Sequence, residues 1–158
     1  MLRHITLIAA GAIALATVPA TAHAAPAKRA PAARCTQTPK QIVTAFMDLF
    51  YVQKKVRQAF ETYVVEGYIQ HNPFAATGRA PAIAFLEPAF ADPAITYSIK
   101  RIIADGDLVA VHAHGVMKAG DPGAAVVDIL RVKDCKIVEH WDVIQPVPAQ
   151  SANTNTMF

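Results

Sequence analysis

From residue 38 onward the chain changes its hydrophobic rhythm once, and the change divides it into two halves. Ile42, Val43, Phe46, Leu49 and Phe50 recur at the three- and four-residue spacing of an amphipathic helix. Thr38-Pro39-Lys40-Gln41 just before them has the form of a helix start. Thr38 can accept from the free amides of the first turn, Pro39 suits the first helical position, and Gln41 can reach back. A second helix is expected over about residues 54–64, burying Val56, Ala59, Phe60 and Tyr63. A third is expected over about residues 80–91, carrying Ile83, Phe85, Leu86 and Phe90. Between them stands YIQHNP, Tyr68 to Pro73. A solvated loop has no need of an aromatic, a branched apolar residue and a histidine together before a proline; a pocket wall would use them all.

From Ile95 the period becomes two. ITYSIKRIIA, the turn Asp105-Gly106-Asp107 and LVAVHAHGVMK form a hairpin around a glycine turn. AGDPG makes a second turn before AAVVDILRV, and KDCK leads into IVEHWDVIQPV. Helices first and a three- or four-stranded antiparallel meander afterwards predict an α+β fold. The expected shape is a cone-like roll, with the N-terminal helices packed on one face of a curved antiparallel sheet and a pocket at its wide end.

The first 24 residues read as a signal peptide. Arg3 and His4 give a positive start, Ile5 to Val18 an apolar run, and Ala22-His23-Ala24 a small-x-small cleavage pattern. The expectation is an exported protein, secreted or periplasmic, cleaved near Ala24 and without a membrane anchor. Residues 25–37 form a Pro/Ala-rich leader expected to be disordered, residues 38–148 the domain, and residues 149–158 a flexible tail. The net charge of +3 misleads about the domain, because Lys28, Arg29, Arg34 and Lys40 all lie at its front. Beyond Lys40, ten Lys and Arg face twelve Asp and Glu, so nothing there favours nucleic acid. Cys35 and Cys135 could form one disulfide after export or stay as two free thiols.

Strand alternation sorts the polar residues. His112 and His114 share one face with Leu108 and Ala110, and Val109, Val111 and Ala113 take the other. Asp128 goes with Leu130 and Val132. His140 and Asp142 go with Val138 and Ile144, opposite Glu139 and Trp141. All four histidines after the signal lie in segments expected to line the cone. A carboxylate in the middle of AAVVDILRV is costly to bury without purpose, which singles out Asp128.

The segments YIQHNP, LVAVHAHGVM and VVDILRVKDCKIVEHWDVIQ, with the helical order before them, resemble the SnoaL-like polyketide cyclases. These belong to the nuclear transport factor 2-like superfamily, beside ketosteroid isomerase and limonene epoxide hydrolase. The resemblance covers residues 38–148. It implies aldol-type acid–base chemistry without metal or cofactor, through an Asp/His pair, and a homodimer joined sheet to sheet. It puts Asp128 where ketosteroid isomerase keeps a neutral aspartic acid as an oxyanion donor. It puts Asp142 on a catalytic aspartate of the epoxide hydrolase. Asn72 stands where the isomerase has its basic Asp, and His112 and His114 replace the hydrolase's Arg and Asp, so neither reaction transfers intact.

The expected catalytic set is therefore Asp128, His114, His112, Asp142 and His71, with Tyr68, Asn72, His140 and Trp141 touching substrate. Of these, His71, His112, His114, Asp128 and Asp142 are expected around one apolar cavity. Three classes stay open: a cofactor-independent cyclase or isomerase of a small carbonyl compound, a module that binds a small hydrophobic molecule without turnover, and a metal site built on His112-x-His114 with a nearby Asp.

Overall fold

The computed structural model describes residues 35–158. The expected signal peptide and the leader up to Arg34 lie outside the described residues. The first helix, α1, runs Pro39–Met47 and begins as its sequence dictates. The Thr38 amide donates to Gln41 Oε1 at 2.8 Å, and the Gln41 amide donates back to Thr38 Oγ1 at 3.2 Å.

The helix then widens into a π-helical turn over Asp48–Val52, where the Gln53 amide donates to the Asp48 carbonyl at 2.9 Å. The consecutive rings of Phe50 and Tyr51 are both buried there, at 4% and 8% exposure. A regular helix would turn such neighbours some 100° apart; the wider turn keeps both on the inner side. α2 spans Val56–Tyr63 and α3 spans Arg79–Phe90. No helix among the described residues is long and apolar enough to cross a membrane.

The sheet has five strands, one more than the longest expected meander. β1 is Val64–Gln70, β2 Thr96–Asp105, β3 Leu108–Val116, β4 Ala124–Lys133 and β5 Lys136–Pro146. Their order is β1-β5-β4-β3-β2. The four later strands pair antiparallel, as expected, but β1 pairs parallel to β5, so the sheet is mixed. It is open, with β1 and β2 as its edges. Register shifts interrupt β1 against β5, β2 against β3 and β4 against β5, and such bulges bend strands. The α+β class holds, with three helices on one face.

That face is the one carrying Val109, Val111 and Ala113, each fully buried. Val111 stands opposite Asp128, Asp128 opposite Asp142, and Leu130 opposite His140. Directly opposed residues share a face, so both aspartates and His140 look toward the helices. His112 and His114, opposite Val127 and Ala125, look away from them.

The turn joining β4 and β5 sets Asp134 and Cys135 at φ of 50° and 63° between the paired residues Lys133 and Lys136. Two positive φ values match the right-handed twist of a tight hairpin but are unfavourable for side chains other than glycine. Cys135 is bonded to Cys35, with 5.4 Å between their Cα atoms and a sequence separation of 100. The bond ties the start of the domain to this turn.

Two outcomes follow from the packing. Replacing both cysteines by serine should cost about 2–5 kcal/mol in chemical denaturation, as expected for a bond closing so long a loop; an unchanged midpoint would show that the bond contributes nothing. A Cβ added at Gly115 would lie 2.7 Å from Cε2 of Tyr97, whose ring is stacked at 3.8 Å on Tyr51. Gly115→Ala should therefore destabilise the fold by about 1–3 kcal/mol through overpacking, measured the same way; a neutral result would mean the Tyr97 ring moves freely.

Candidate active site

Between the helices and the inner face of the sheet lies a cavity of about 290 Å³. This is at the small end of the range for small-molecule sites, roughly 300–1,000 Å³. Its walls are aromatic and aliphatic, with Phe46, Phe50, Phe60, Phe90 and Leu130 among them. Phe74, Phe85, Met117 and Ile144 line it too and are largely exposed, so they mark the mouth. Among the described residues no lysine or arginine lines it, although Asp128 and Asp142 both do.

The polar groups gather on one wall. Asp128 is 2% exposed and is the sole buried charged side chain among the described residues. Its Oδ2 accepts from the Tyr51 hydroxyl at 3.3 Å, and its Oδ1 lies 3.0 Å from His140 Nε2. His140 Nδ1 in turn lies 2.9 Å from Gln70 Oε1. Asp142, across the strand pair, accepts at Oδ2 from Asn72 Nδ2 at 2.6 Å, and Asn72 Oδ1 accepts from the Phe74 amide at 2.8 Å. That second contact orients the Asn72 amide, because a backbone N–H can only donate.

Three tyrosines border this wall. Burial pushes the hydroxyls of Tyr51, Tyr68 and Tyr97 well above the usual tyrosine range, and the nearby Asp128 charge adds to the shift in each. They stay neutral phenols, able to donate. Tyr51 spends its hydrogen on Asp128. The Tyr68 oxygen accepts from Gln70 Nε2 at 2.6 Å, which leaves its own hydrogen free for a ligand.

The structure thus brings together Asp128, Asp142, His140, Asn72 and Tyr68 of the expected set. It does not bring His71, His112, His114 or Trp141 to the cavity, which corrects the shared pocket expected for the three histidines and the substrate contact expected of Trp141. His112 Nδ1 accepts from Arg101 at 2.8 Å. His114 Nε2 donates to the Pro122 carbonyl at 2.8 Å, under the Phe158 ring at 4.2 Å. The end of the C-terminal segment therefore lies against this outer face. His71 Nε2 pairs with Glu139 at 2.8 Å and stacks on Trp141 at 4.7 Å, while Arg131 joins Glu139 at 2.9 Å. Those two partners hold the Glu139 carboxyl below its usual range, the His71 hydrogen bond contributing most. Along β3 the expected alternation holds, but both faces of that strand are apolar enough that the pattern alone does not say which one meets the helices. In β5 a bulge breaks it, and Ile137 rather than Val138 shares the inner face with His140.

Tyr51 and Gln70 belong to the site without having been expected there. Tyr51 sits in the unbroken apolar run LFYV, where helical spacing would not turn it inward. Gln70 lies within YIQHNP, and its role depends on the parallel pairing of β1 with β5. A metal is not carried by His112 and His114, which face away from both aspartates. Among the described residues, those able to reach one ion are Asp128, His140 and Asp142, whose ligand atoms lie within 4.8 Å of one another.

The fold recurs in solved structures of low sequence identity. A candidate ketosteroid isomerase from Kribbella flavida DSM 17836 superposes with a TM-score of 0.59 at 19% identity, over 73% of this chain and 83% of that one. IdmH, a candidate polyketide cyclase from Streptomyces antibioticus, gives 0.55 at 19% identity, over 68% and 92%. An NTF2-like protein of unknown function from Cytophaga hutchinsonii ATCC 33406 gives 0.59 at 15% identity, over 70% and 94%. No curated protein matches the sequence. At such identities the likeness establishes the fold and leaves the chemistry to the site. The SnoaL-like domain itself matches residues 43–140, most of the described chain, and the protein belongs to that family.

Proposed function

We propose that the protein is an exported, cofactor-independent cyclase or isomerase that works by acid–base chemistry on a small, uncharged carbonyl compound. The observation that carries this reading is Asp128, buried in an apolar chamber and held by an imidazole and a phenol. Such chemistry needs a base to take a proton beside a carbonyl and a donor to hold the resulting oxyanion. The Asp128–His140 pair can take and return the proton. The uncommitted hydrogen of Tyr68 suits the oxyanion, and Asp142 with Asn72 borders the reacting edge. Two carboxylates and, among the described residues, no lysine or arginine favour a neutral ligand over a carboxylate or phosphate, since a buried anion there would have no cationic partner among them.

Export is supported by the charged start, apolar run and Ala22-His23-Ala24 of the sequence. Partnership with a second copy is supported by outer-face residues such as Ile103 and Val143, each 63% exposed, and sedimentation at tens of micromolar protein should show a dimer rather than a monomer. The slightly acidic domain gives no support to a nucleic-acid partner. The apolar lining also suits a binding module without turnover, which makes turnover the deciding test.

Asp128→Asn keeps the side-chain shape and removes the ionisable proton. In a screen of small ketones and β-dicarbonyl compounds, it should lower kcat by on the order of 100-fold or more while affinity changes little. His114→Gln, on the far side of the sheet, should leave kcat alone. Binding without turnover by the wild type would favour the module; a kcat loss in His114→Gln with an active Asp128→Asn would reject the assignment. 2-Naphthol, a neutral enol mimic, should bind at least about tenfold more tightly than 2-naphthoate, a difference of about 1.4 kcal/mol, and equal binding would contradict the charge argument.

A further inference from the structure

Gln70 ends β1 directly opposite His140 of β5, and its side chain meets three groups at once. Its Oε1 lies 2.9 Å from the Asn72 backbone nitrogen and 2.9 Å from His140 Nδ1, and its Nε2 lies 2.6 Å from the Tyr68 hydroxyl. The Asn72 amide can only donate, so the Gln70 atom facing it is the oxygen; turning the side chain over would set two donors against each other. The same oxygen faces His140 Nδ1. That nitrogen therefore carries a hydrogen.

The consequence falls on the other ring nitrogen. His140 Nε2 and Asp128 Oδ1 are 3.0 Å apart, and with Nδ1 committed there is a single proton between them. It sits on the carboxyl, donating to a neutral ring, or on the ring, donating to a carboxylate. The two arrangements carry the same total charge and differ by one transfer along one hydrogen bond. Had the neutral ring held its hydrogen on Nε2, that nitrogen would be a fixed donor and could not accept a proton.

We propose that Gln70 is a positioning residue that locks His140 in the Nδ1–H form, so that Nε2 is the basic nitrogen shared with Asp128. Its catalytic consequence rests on the acid–base reading of the site, but its effect on the ring does not. Without Gln70, Nδ1 loses its acceptor, while Nε2–H can still donate to the Asp128 carboxylate. The Nδ1 proton is then released to solvent, and the ring is left neutral with its one hydrogen on Nε2. Gln70→Glu retains an oxygen for both the Asn72 amide and Nδ1, and the Tyr68 hydroxyl can donate to its second oxygen.

Long-range ¹⁵N–¹H correlation spectra of ¹⁵N-labelled protein report each ring nitrogen separately and need no substrate. In the wild type, His140 Nδ1 should remain protonated from neutral to mildly alkaline pH. Gln70→Leu should exchange the pattern, leaving Nε2 protonated and Nδ1 bare, and Gln70→Glu should restore the wild-type pattern. If Gln70→Leu fails to fold, the wild-type spectrum decides alone. A bare Nδ1 in the wild type, or an unchanged pattern in folded Gln70→Leu, would overturn the proposal. With a substrate in hand, Gln70→Leu should lower kcat by on the order of tenfold to 100-fold with little change in KM. A wild type that has the Nδ1–H pattern but turns over no carbonyl compound would support the tautomer lock and count only against the enzymatic reading.

Discussion

A carboxylate taken out of water has to be met on every side, and the inner wall of this fold is organised around that demand at Asp128. An unpaired buried charge costs several kcal/mol even after relaxation. Here one oxygen is met by a phenol and the other by an imidazole, and each partner is delivered by a different element. Tyr51 arrives from a π-helical turn that breaks the regular helix, and His140 from the neighbouring strand. Gln70 then orients His140 from the far side of a parallel strand pair. Hydrophobic packing of comparable size would satisfy the core with less conflict, so the polar wall fits the proposed acid–base role better than a purely stabilising one.

The rest of the chamber supports this arrangement. Phe50, Tyr51 and Tyr97 stack in sequence, with ring centroids 4.1 and 3.8 Å apart, and Gly115 leaves room for the Tyr97 ring on β3. The stack excludes water from one flank of Asp128 and fixes the Tyr51 ring. On the other flank Asn72 is pinned by the Phe74 amide and donates one side-chain amide hydrogen to Asp142. Both carboxylates are thus held by groups that are themselves held, a condition for a site whose geometry survives thermal motion.

Much of this was legible from local pattern. The capping box at Thr38, the antiparallel strands after Ile95 and the shared face of His140 and Asp142 follow from spacing and turn chemistry. What was not legible depended on contacts far apart in sequence. β1 announces itself with no turn, because its partner lies about seventy residues away and runs parallel, and its short run VVEGYIQ continues directly from α2. Tyr51 is displaced inward by a π turn that helical periodicity does not encode. The faces of β3 are both apolar, so His112 and His114 could be paired with each other but not assigned to the side of the helices. In the structure they meet Arg101, the Pro122 carbonyl and Phe158 on the outer face instead.

The account comes down to which side of the sheet does the work. A crystal structure with a bound small ketone or its enol mimic tests this most directly. The ligand should lie in the helix-side chamber, its oxygen within hydrogen-bond distance of the Tyr68 hydroxyl or the Asp128–His140 pair and its apolar body against Phe46 and Phe50. A ligand seated instead on the outer face, beside His112, His114 and Phe158, would contradict it.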